Sequence, residues 1–202
     1  MQLIGMLDSP YVRRVAISLQ LLGLPHQHQP LSVFRHMPAF RHINPVLKAP
    51  TLVCDDGEVL MDSSLILDYL DLHVPPAQRL LPASLPARQH ALCQVGWALA
   101  AMEKAVQAYY ECQLRPPDAR HAPWLERVNE QLNAACAGME SALQRHAPTA
   151  GTLNQATLSM AVAWRFIAER VPDLVAADAY PTLRAWSAQA ELHPAFIACP
   201  FD

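Results

Sequence analysis

The sequence predicts a protein of two parts, an α/β domain followed by an all-helical domain. Over residues 1–74, short apolar segments of strand length alternate with segments whose apolar residues have helical spacing. After a proline-rich connector at residues 75–86, residues 87–202 carry apolar residues at three- and four-residue spacing throughout. The predicted order of the first domain is βαβ, then a loop, then ββα.

The first half of the α/β domain begins with a strand over residues 2–6. Ser9-Pro10 then marks a helix start, because serine is a favoured N-cap and proline is favoured at the first helical position. The helix is predicted to end at Gly23, since glycine commonly follows a helix C-terminus. A second strand is predicted over residues 26–31, and a loop with at most a short helix over residues 33–44.

The second half contains a hairpin and a helix. Strands are predicted over residues 51–54 and 58–61, joined by a turn whose Asp56-Gly57 pair suits a tight hairpin. Ser63 or Ser64 is predicted to cap the next helix, which has a broad apolar face from Leu65 onward. Further helices are predicted over residues 85–113, 124–146, 157–170 and 180–192.

Composition excludes several function classes. Fifteen Lys+Arg against 18 Asp+Glu leave a net charge of −3, without the clustered basic surface that nucleic acid requires. The six glycines lie too far apart for a dinucleotide fingerprint, a P-loop or a nucleophile elbow. Neither a membrane-spanning run nor a targeting segment is recognisable, so we expect a cytoplasmic protein without membrane partners. The five cysteines and nine histidines lack ligand spacing, and no metal site is predicted.

Three motifs have the residue types of a binding site, although each also has a purely structural explanation. Ser9 can cap a helix, or its position at a helix N-terminus can stabilise an anion. Pro50 stands directly before a strand, either as an ordinary trans proline or as a cis proline that exposes the preceding backbone to an extended peptide. Asp62-Ser63 can cap a helix, or can hold the ammonium and carboxylate groups of an α-amino acid.

The three motifs occur in an order that resembles one family. Strand-Ser9-Pro10-helix, then Lys48-Ala49-Pro50-strand, then hairpin-Asp62-Ser63-helix is similar to the cytosolic glutathione S-transferases with a serine-type active site. The resemblance implies a thioredoxin-like N-terminal domain that binds glutathione and a helical C-terminal domain that supplies an electrophile pocket. Its specific part covers residues 8–71.

The resemblance also implies roles for individual residues in glutathione binding. Pro50 matches a cis proline, and the backbone of Ala49 would pair with the cysteinyl part of glutathione. Asp62 and Ser63 match the pair that holds the γ-glutamyl end, and Lys48 is placed to meet the glycine carboxylate.

Ser9 matches the catalytic serine, whose hydroxyl donates a hydrogen bond to the glutathione sulfur. Tyr11 lies in the first turn of the same helix and remains an alternative for this contact. A thiol-transfer mechanism is disfavoured because no cysteine precedes Cys54. A tyrosine-type site is disfavoured because the first strand and its end carry Met6 and Leu7 in place of a tyrosine.

The implied function is glutathione transfer, in which the thiolate attacks a small apolar electrophile. Conjugation, dehalogenation, isomerisation and peroxide reduction all remain open, and the alternative is a non-catalytic protein of the same fold that binds ligands or partners. The resemblance further implies a homodimer and no metal. Candidate residues of the electrophile pocket are Tyr11, Tyr109 and Tyr110, although aromatic residues on long helices more often belong to a core.

One departure from the family pattern concerns the helix predicted from residue 157. The family commonly opens this helix with a hydroxyl residue and, three residues later, an aspartate that returns the capping hydrogen bond. Here Thr157 is followed by Met160. We expect Thr157 to cap the helix without the reciprocal bond, at a cost to stability of about 1 kcal/mol.

Overall fold

The computed structural model describes residues 1–148 and 153–201 and confirms the fold class, an α/β part and an all-helical part. The chain divides into two compact units, Met1–Ala83 with the segment from His193 onward, and Ser84–Leu192. No helix of the described residues is long and apolar enough to cross a membrane. The strands are β1 (Gln2–Ile4), β2 (Gln27–Gln29), β3 (Thr51–Val53) and β4 (Val59–Met61). The helices are α1 (Pro10–Leu22), α2 (Met37–Ile43), α3 (Ser63–Asp71), α4 (Leu85–Leu114), α5 (Ala122–Arg145), α6 (Gln155–Arg170), α7 (Pro181–Ala190) and α8 (Pro194–Ile197).

The first unit is built on a four-stranded sheet in the order β2-β1-β3-β4. β1 runs parallel to β2 and antiparallel to β3, and β3 and β4 form the predicted hairpin. Leu3 and Ile4 of β1 and Leu52 of β3 are fully buried. Helices α1 and α3 pack against each other. This mixed sheet with its βαβ and ββα halves is the thioredoxin-like arrangement that the sequence predicts.

Helix α1 begins and ends where its residues predict. The backbone N–H of Val12 donates to Ser9 Oγ at 3.4 Å, and Pro10 occupies the first turn. Gly23 adopts φ 65°, and its N–H reaches the carbonyl oxygens at the end of the helix. Such a left-handed residue terminates a helix at little cost only when it lacks a Cβ.

The C-terminal segment packs on α1 and therefore belongs to the first unit. Arg13 Nε donates to the Cys199 carbonyl at 2.9 Å, and the Arg13 guanidinium lies 5.5 Å from the centre of the Phe196 ring. The sequence places these residues with the helical domain, and reads Pro194 as a break although it begins α8. Apolar spacing indicates that a segment is buried, but it carries no information on which element buries it.

The second unit packs α4 against both α5 and α6, with α7 beside α5 and α6. α6 is buried along most of its length. A buried carboxylate links α5 to α7, because both oxygens of Glu140 accept backbone N–H groups at the start of α7, from Thr182 at 3.0 Å and Leu183 at 2.7 Å. Burial acts to raise the Glu140 pKa, but these hydrogen bonds outweigh it and hold the pKa below its usual value.

The expectation for the cap of α6 is wrong. The helix begins at Gln155, two residues earlier than predicted, and its N-cap is Asn154, three residues before Thr157. The N–H of Thr157 donates to Asn154 Oδ1 at 3.0 Å, and the N–H of Asn154 donates to Thr157 Oγ1 at 3.1 Å. Thr157 is thus the returning member of a complete capping box. The reciprocal bond is retained without an acid at Met160.

Candidate functional site

The three segments that the sequence singles out come together at one edge of the first unit. Gly5 follows β1, and a Cβ built on it would lie 2.6 Å from Cγ2 of Val12 in α1 and 3.3 Å from Cβ of Ala49. The start of α1 therefore lies beside the loop before β3. Lys48 in that loop forms an ion pair with Asp62 at the start of α3, with 3.2 Å between Nζ and Oδ2. The structure thus gathers residues that are far apart in sequence.

Ser9 presents its hydroxyl at the N-terminus of α1. Its oxygen accepts the weak hydrogen bond from Val12, and the side chain is half-buried. Among the described residues, no hydrogen bond uses the hydroxyl proton of Ser9. The hydroxyl can therefore donate to an anion that is also stabilised by the helix N-terminus.

The loop before β3 exposes backbone next to a cis peptide bond. The Ala49–Pro50 bond is cis, as the resemblance implies. Ala49 is half-buried, and within the described residues neither its N–H nor its carbonyl oxygen forms a hydrogen bond. Asn44 and Thr51 hold the loop from beneath, since Thr51 Oγ1 donates to the Lys48 carbonyl at 2.7 Å and Asn44 Nδ2 donates to Thr51 Oγ1 at 2.8 Å. These two backbone groups of Ala49 can therefore form hydrogen bonds with an extended peptide, as the edge of a sheet does.

Asp62 caps α3, which is the structural role that the Asp62-Ser63 motif allows, whereas the expectation that Ser63 or Ser64 is the N-cap is wrong. Its Oδ1 accepts the N–H of Ser64 at 2.9 Å, and its Oδ2 faces the Lys48 ammonium. Burial acts to raise the Asp62 pKa, but the hydrogen bond from Ser64 and the charge of Lys48 outweigh it and hold the pKa below its usual value. Asp62 also adopts φ 73°, a left-handed conformation that is uncommon for residues other than glycine.

Ser63 is hydrogen-bonded to a buried arginine, Arg14. Its side chain is buried, and its Oγ accepts a hydrogen bond from Arg14 Nη1 at 3.2 Å; Ser64 Oγ accepts from the same nitrogen at 3.3 Å. Because Ser63 Oγ accepts from the arginine, its own proton can donate to a ligand carboxylate. The serine and the amides of the α3 N-terminus then form an anion site with a cation beneath it.

Arg14 is the residue of this site that sequence reasoning misses. It is 1% exposed, and its Nε has no hydrogen-bond partner among the described residues. Burial lowers its pKa to about 10, and the charges of Asp62 and Tyr11 offset this only in part. The only hint in the sequence is that Arg14, like Arg13, stands between Val12 and Val15 in the largely apolar run of α1, and this pattern does not distinguish the two arginines.

The three candidate tyrosines of the electrophile pocket lie in different units. Tyr11 is half-buried in α1, whereas Tyr109 and Tyr110 are in α4. The Tyr109 ring contacts that of Phe166, with centroids 6.4 Å apart, and Tyr110 is 39% exposed. A cavity of about 530 Å³ at the connection between α4 and α5 is lined by none of the predicted site residues. Within residues 1–148 and 153–201, no group of three or more His, Cys, Asp or Glu residues could hold a metal ion.

Comparisons with known proteins place the chain in a family. The family described as "Glutathione S-transferase, N-terminal domain" matches residues 3–78. The crystal structure of a glutathione transferase family member from Pseudomonas fluorescens Pf-5, with bound glutathione, superimposes with a TM-score of 0.83 and 31% identity, covering 98% of this chain and 97% of that chain. The chain belongs to the glutathione S-transferase family, which confirms the resemblance seen in the sequence.

Curated relatives agree with this assignment. A maleylacetoacetate isomerase from Pseudomonas aeruginosa is 33% identical over 108 residues, which is 51% of this chain and 45% of the isomerase. The uncharacterized GST-like protein YibF from Escherichia coli is 28% identical over 167 residues, which is 81% of this chain and 80% of YibF. The match to the isomerase thus spans less than half of that enzyme's length.

Proposed function

We propose that this protein is a glutathione transferase in which the Ser9 hydroxyl stabilises the glutathione thiolate. The observation that carries the proposal is the convergence of the Ser9 hydroxyl, the exposed backbone of Ala49 and the Asp62-Ser63 pair at one edge. These groups suit the thiol, the peptide backbone and the γ-glutamyl end of one extended ligand. The glutathione-bound structure of the Pseudomonas fluorescens relative supports the choice of ligand.

The chemical task of Ser9 is to favour an anion. A free thiol has a pKa of about 8.5, so only a few per cent is thiolate at pH 7. Lowering that pKa by about two units requires roughly 2.7 kcal/mol of preference for the thiolate. A hydrogen bond to a charged group supplies about 1.5–3 kcal/mol, and the N-terminus of α1 adds to it. The thiol proton is lost to solvent when glutathione binds. The thiolate sulfur then uses its electron pair to form the S–C bond, while the electrophilic carbon releases its leaving group with the bonding pair or passes a π electron pair to a conjugated acceptor, which water protonates. Ser9 does not act as a base.

The remaining groups would orient the tripeptide. Ala49 would exchange backbone hydrogen bonds with the cysteinyl residue beside cis Pro50. The ligand's α-carboxylate would lie on Ser63 and the α3 N-terminus, and its ammonium would lie on Asp62. The identity of the electrophile is open, and Tyr11, Tyr109 and Tyr110 remain candidates for contacting it.

Ultraviolet difference spectroscopy on adding glutathione tests this proposal. We expect the wild-type protein to produce a thiolate band at neutral pH. Ser9→Ala should raise the pKa of the bound thiol by about one unit and reduce kcat/KM for a reactive electrophile by about tenfold, because one charge-assisted hydrogen bond is lost.

Tyr11→Phe is the matched control, because Tyr11 is the alternative donor and lies two residues away. It should leave the band unchanged. If Tyr11→Phe lost the thiolate band while Ser9→Ala kept it, Tyr11 and not Ser9 would be the donor of the hydrogen bond to the glutathione sulfur. Glutathione binding without any thiolate band would instead favour the non-catalytic alternative.

We also propose that the protein is a homodimer, as members of the family usually are. One chain has a mass of 22.4 kDa. Light scattering at micromolar concentration should therefore give about twice this mass, and a mass close to that of one chain would contradict the proposal.

A further inference from the structure

Two residues that are expected at opposite ends of glutathione are paired with each other in this structure. Lys48 is expected to meet the glycine carboxylate, and Asp62 is expected to meet the γ-glutamyl ammonium. Their side chains form an ion pair of 3.2 Å and are 50% and 44% exposed. The Lys48 ammonium therefore occupies the position beside Asp62 that a ligand ammonium would take.

The geometry of Asp62 leaves one carboxylate oxygen for a cation. Oδ1 is used by the N–H of Ser64, which fixes the carboxylate as the N-cap of α3. Oδ2 is the oxygen that receives the Lys48 ammonium. A ligand ammonium and Lys48 consequently compete for the same oxygen.

Lys48 is anchored at its backbone and exposed at its tip. Its carbonyl oxygen accepts hydrogen bonds from Thr51 Oγ1 at 2.7 Å and from Asn44 Nδ2 at 3.5 Å. Both of these partners are buried. The ammonium can therefore move from one carboxylate to another by side-chain rotation, while the loop that carries Ala49 and Pro50 keeps its position.

We propose that Lys48 is a latch that selects ligands carrying both charged ends of glutathione. This inference rests on the proposed function. The ligand's ammonium displaces Lys48 from Asp62, and the released Lys48 ammonium then pairs with the ligand's glycine carboxylate. Glutathione replaces the ion pair that it breaks, whereas a γ-glutamylcysteine dipeptide whose C-terminus is an amide breaks the pair and offers Lys48 no carboxylate in return. Lys48 thus discriminates against γ-glutamyl thiols that lack a C-terminal carboxylate.

The size of the effect follows from the exposure of the pair. Exposed ion pairs change an equilibrium by at most about fivefold, and salt weakens them. Removing Lys48 should therefore tighten the binding of the glycine-free ligand by about two- to fivefold at low ionic strength. A residue that contacted only the glycine carboxylate would leave the binding of this ligand unchanged.

Calorimetric titration with S-methylglutathione and with the C-terminal amide of S-methyl-γ-glutamylcysteine, the dipeptide of this test, examines the latch, since the methylated sulfur removes any contribution from thiolate formation. Lys48→Met should bind the dipeptide about two- to fivefold more tightly than the wild type, and should bind the tripeptide no more tightly. Lys48→Arg keeps the charge and should bind the dipeptide as the wild type does. The matched control is Lys104→Met, which removes a lysine paired with Glu103 in α4 and should change neither affinity.

The outcomes separate this inference from the proposed function. If the wild type binds S-methylglutathione but Lys48→Met binds the dipeptide with unchanged or weaker affinity, the latch is wrong and glutathione binding stands. If the wild type binds neither ligand, the proposed function itself is wrong, and the latch falls with it.

Discussion

Replacing Arg14 with methionine is expected to weaken glutathione binding roughly ten- to hundredfold while leaving the fold intact. Arg14 Nη1 donates to the hydroxyls of Ser63 and Ser64, and through them its charge supports the proposed carboxylate site. Hydrogen bonds that involve charged groups contribute about 1.5–3 kcal/mol, which corresponds to this range of dissociation constants. Calorimetric titration with S-methylglutathione measures the effect.

The stability of the same variant distinguishes a ligand-supporting role from a structural one. Folding buries the Arg14 charge, and the burial alone lowers its pKa. Methionine retains much of the side-chain volume and removes the cost of burying a charge, but it leaves the buried Ser63 hydroxyl without its donor, which costs about 1–3 kcal/mol. The free energy of unfolding in urea should therefore fall by less than about 3 kcal/mol. A loss of several kcal/mol with unchanged affinity would show that Arg14 serves the fold alone.

The sequence predicts the elements of this protein well because most of their signals are local. The start of α1 at Ser9, its end at Gly23 and the β3–β4 hairpin each depend on residues that act within one turn. The placement of α8 against α1 depends on a contact of Arg13 with Cys199, which lies far along the chain. No local signal encodes such a contact.

The cap of α6 shows that even local signals compete. Thr157 satisfies the preference for an N-cap, and so does Asn154 three residues earlier. The structure uses Asn154 as the cap and Thr157 as the returning partner. When two possible N-caps lie three residues apart, the choice between them depends on where the whole helix packs in its unit.

The sequence predicts the residues of the candidate site that stand at the ends of helices and strands, and it does not predict the buried arginine behind them. Ser9 and Asp62 stand at the ends of elements and are accessible, Pro50 is buried directly before β3, and each belongs to a short motif. Arg14 lies inside a helix, and its importance follows from burial and from an unpartnered Nε. The helical spacing of apolar residues does not distinguish such a buried arginine from an exposed polar residue of the same helix.

Replacing Gly5 with alanine is expected to destabilise the protein by about 2 kcal/mol or more. Gly5 has φ 141°, which residues with a Cβ rarely adopt. The added Cβ would also lie 2.6 Å from Cγ2 of Val12, a fully buried side chain that would have to move. Backbone strain and overpacking each cost about 1–3 kcal/mol. Urea unfolding of the variant measures the loss.

Gly96→Ala is the matched control, because the same substitution should have the opposite sign there. Gly96 lies within α4, and a Cβ at this position has nothing within 4 Å. Alanine in a helix interior is more stable than glycine by about 0.5–1 kcal/mol. Because Val12 is fully buried, Val12→Ala has a cavity cost of its own. Relative to Val12→Ala alone, the combined Gly5→Ala/Val12→Ala variant should show a smaller loss than Gly5→Ala does in the wild type, and that smaller loss reports the backbone strain. If Gly5→Ala were as stable as Gly96→Ala, the close approach of β1, α1 and the Ala49 loop would not be required for this fold.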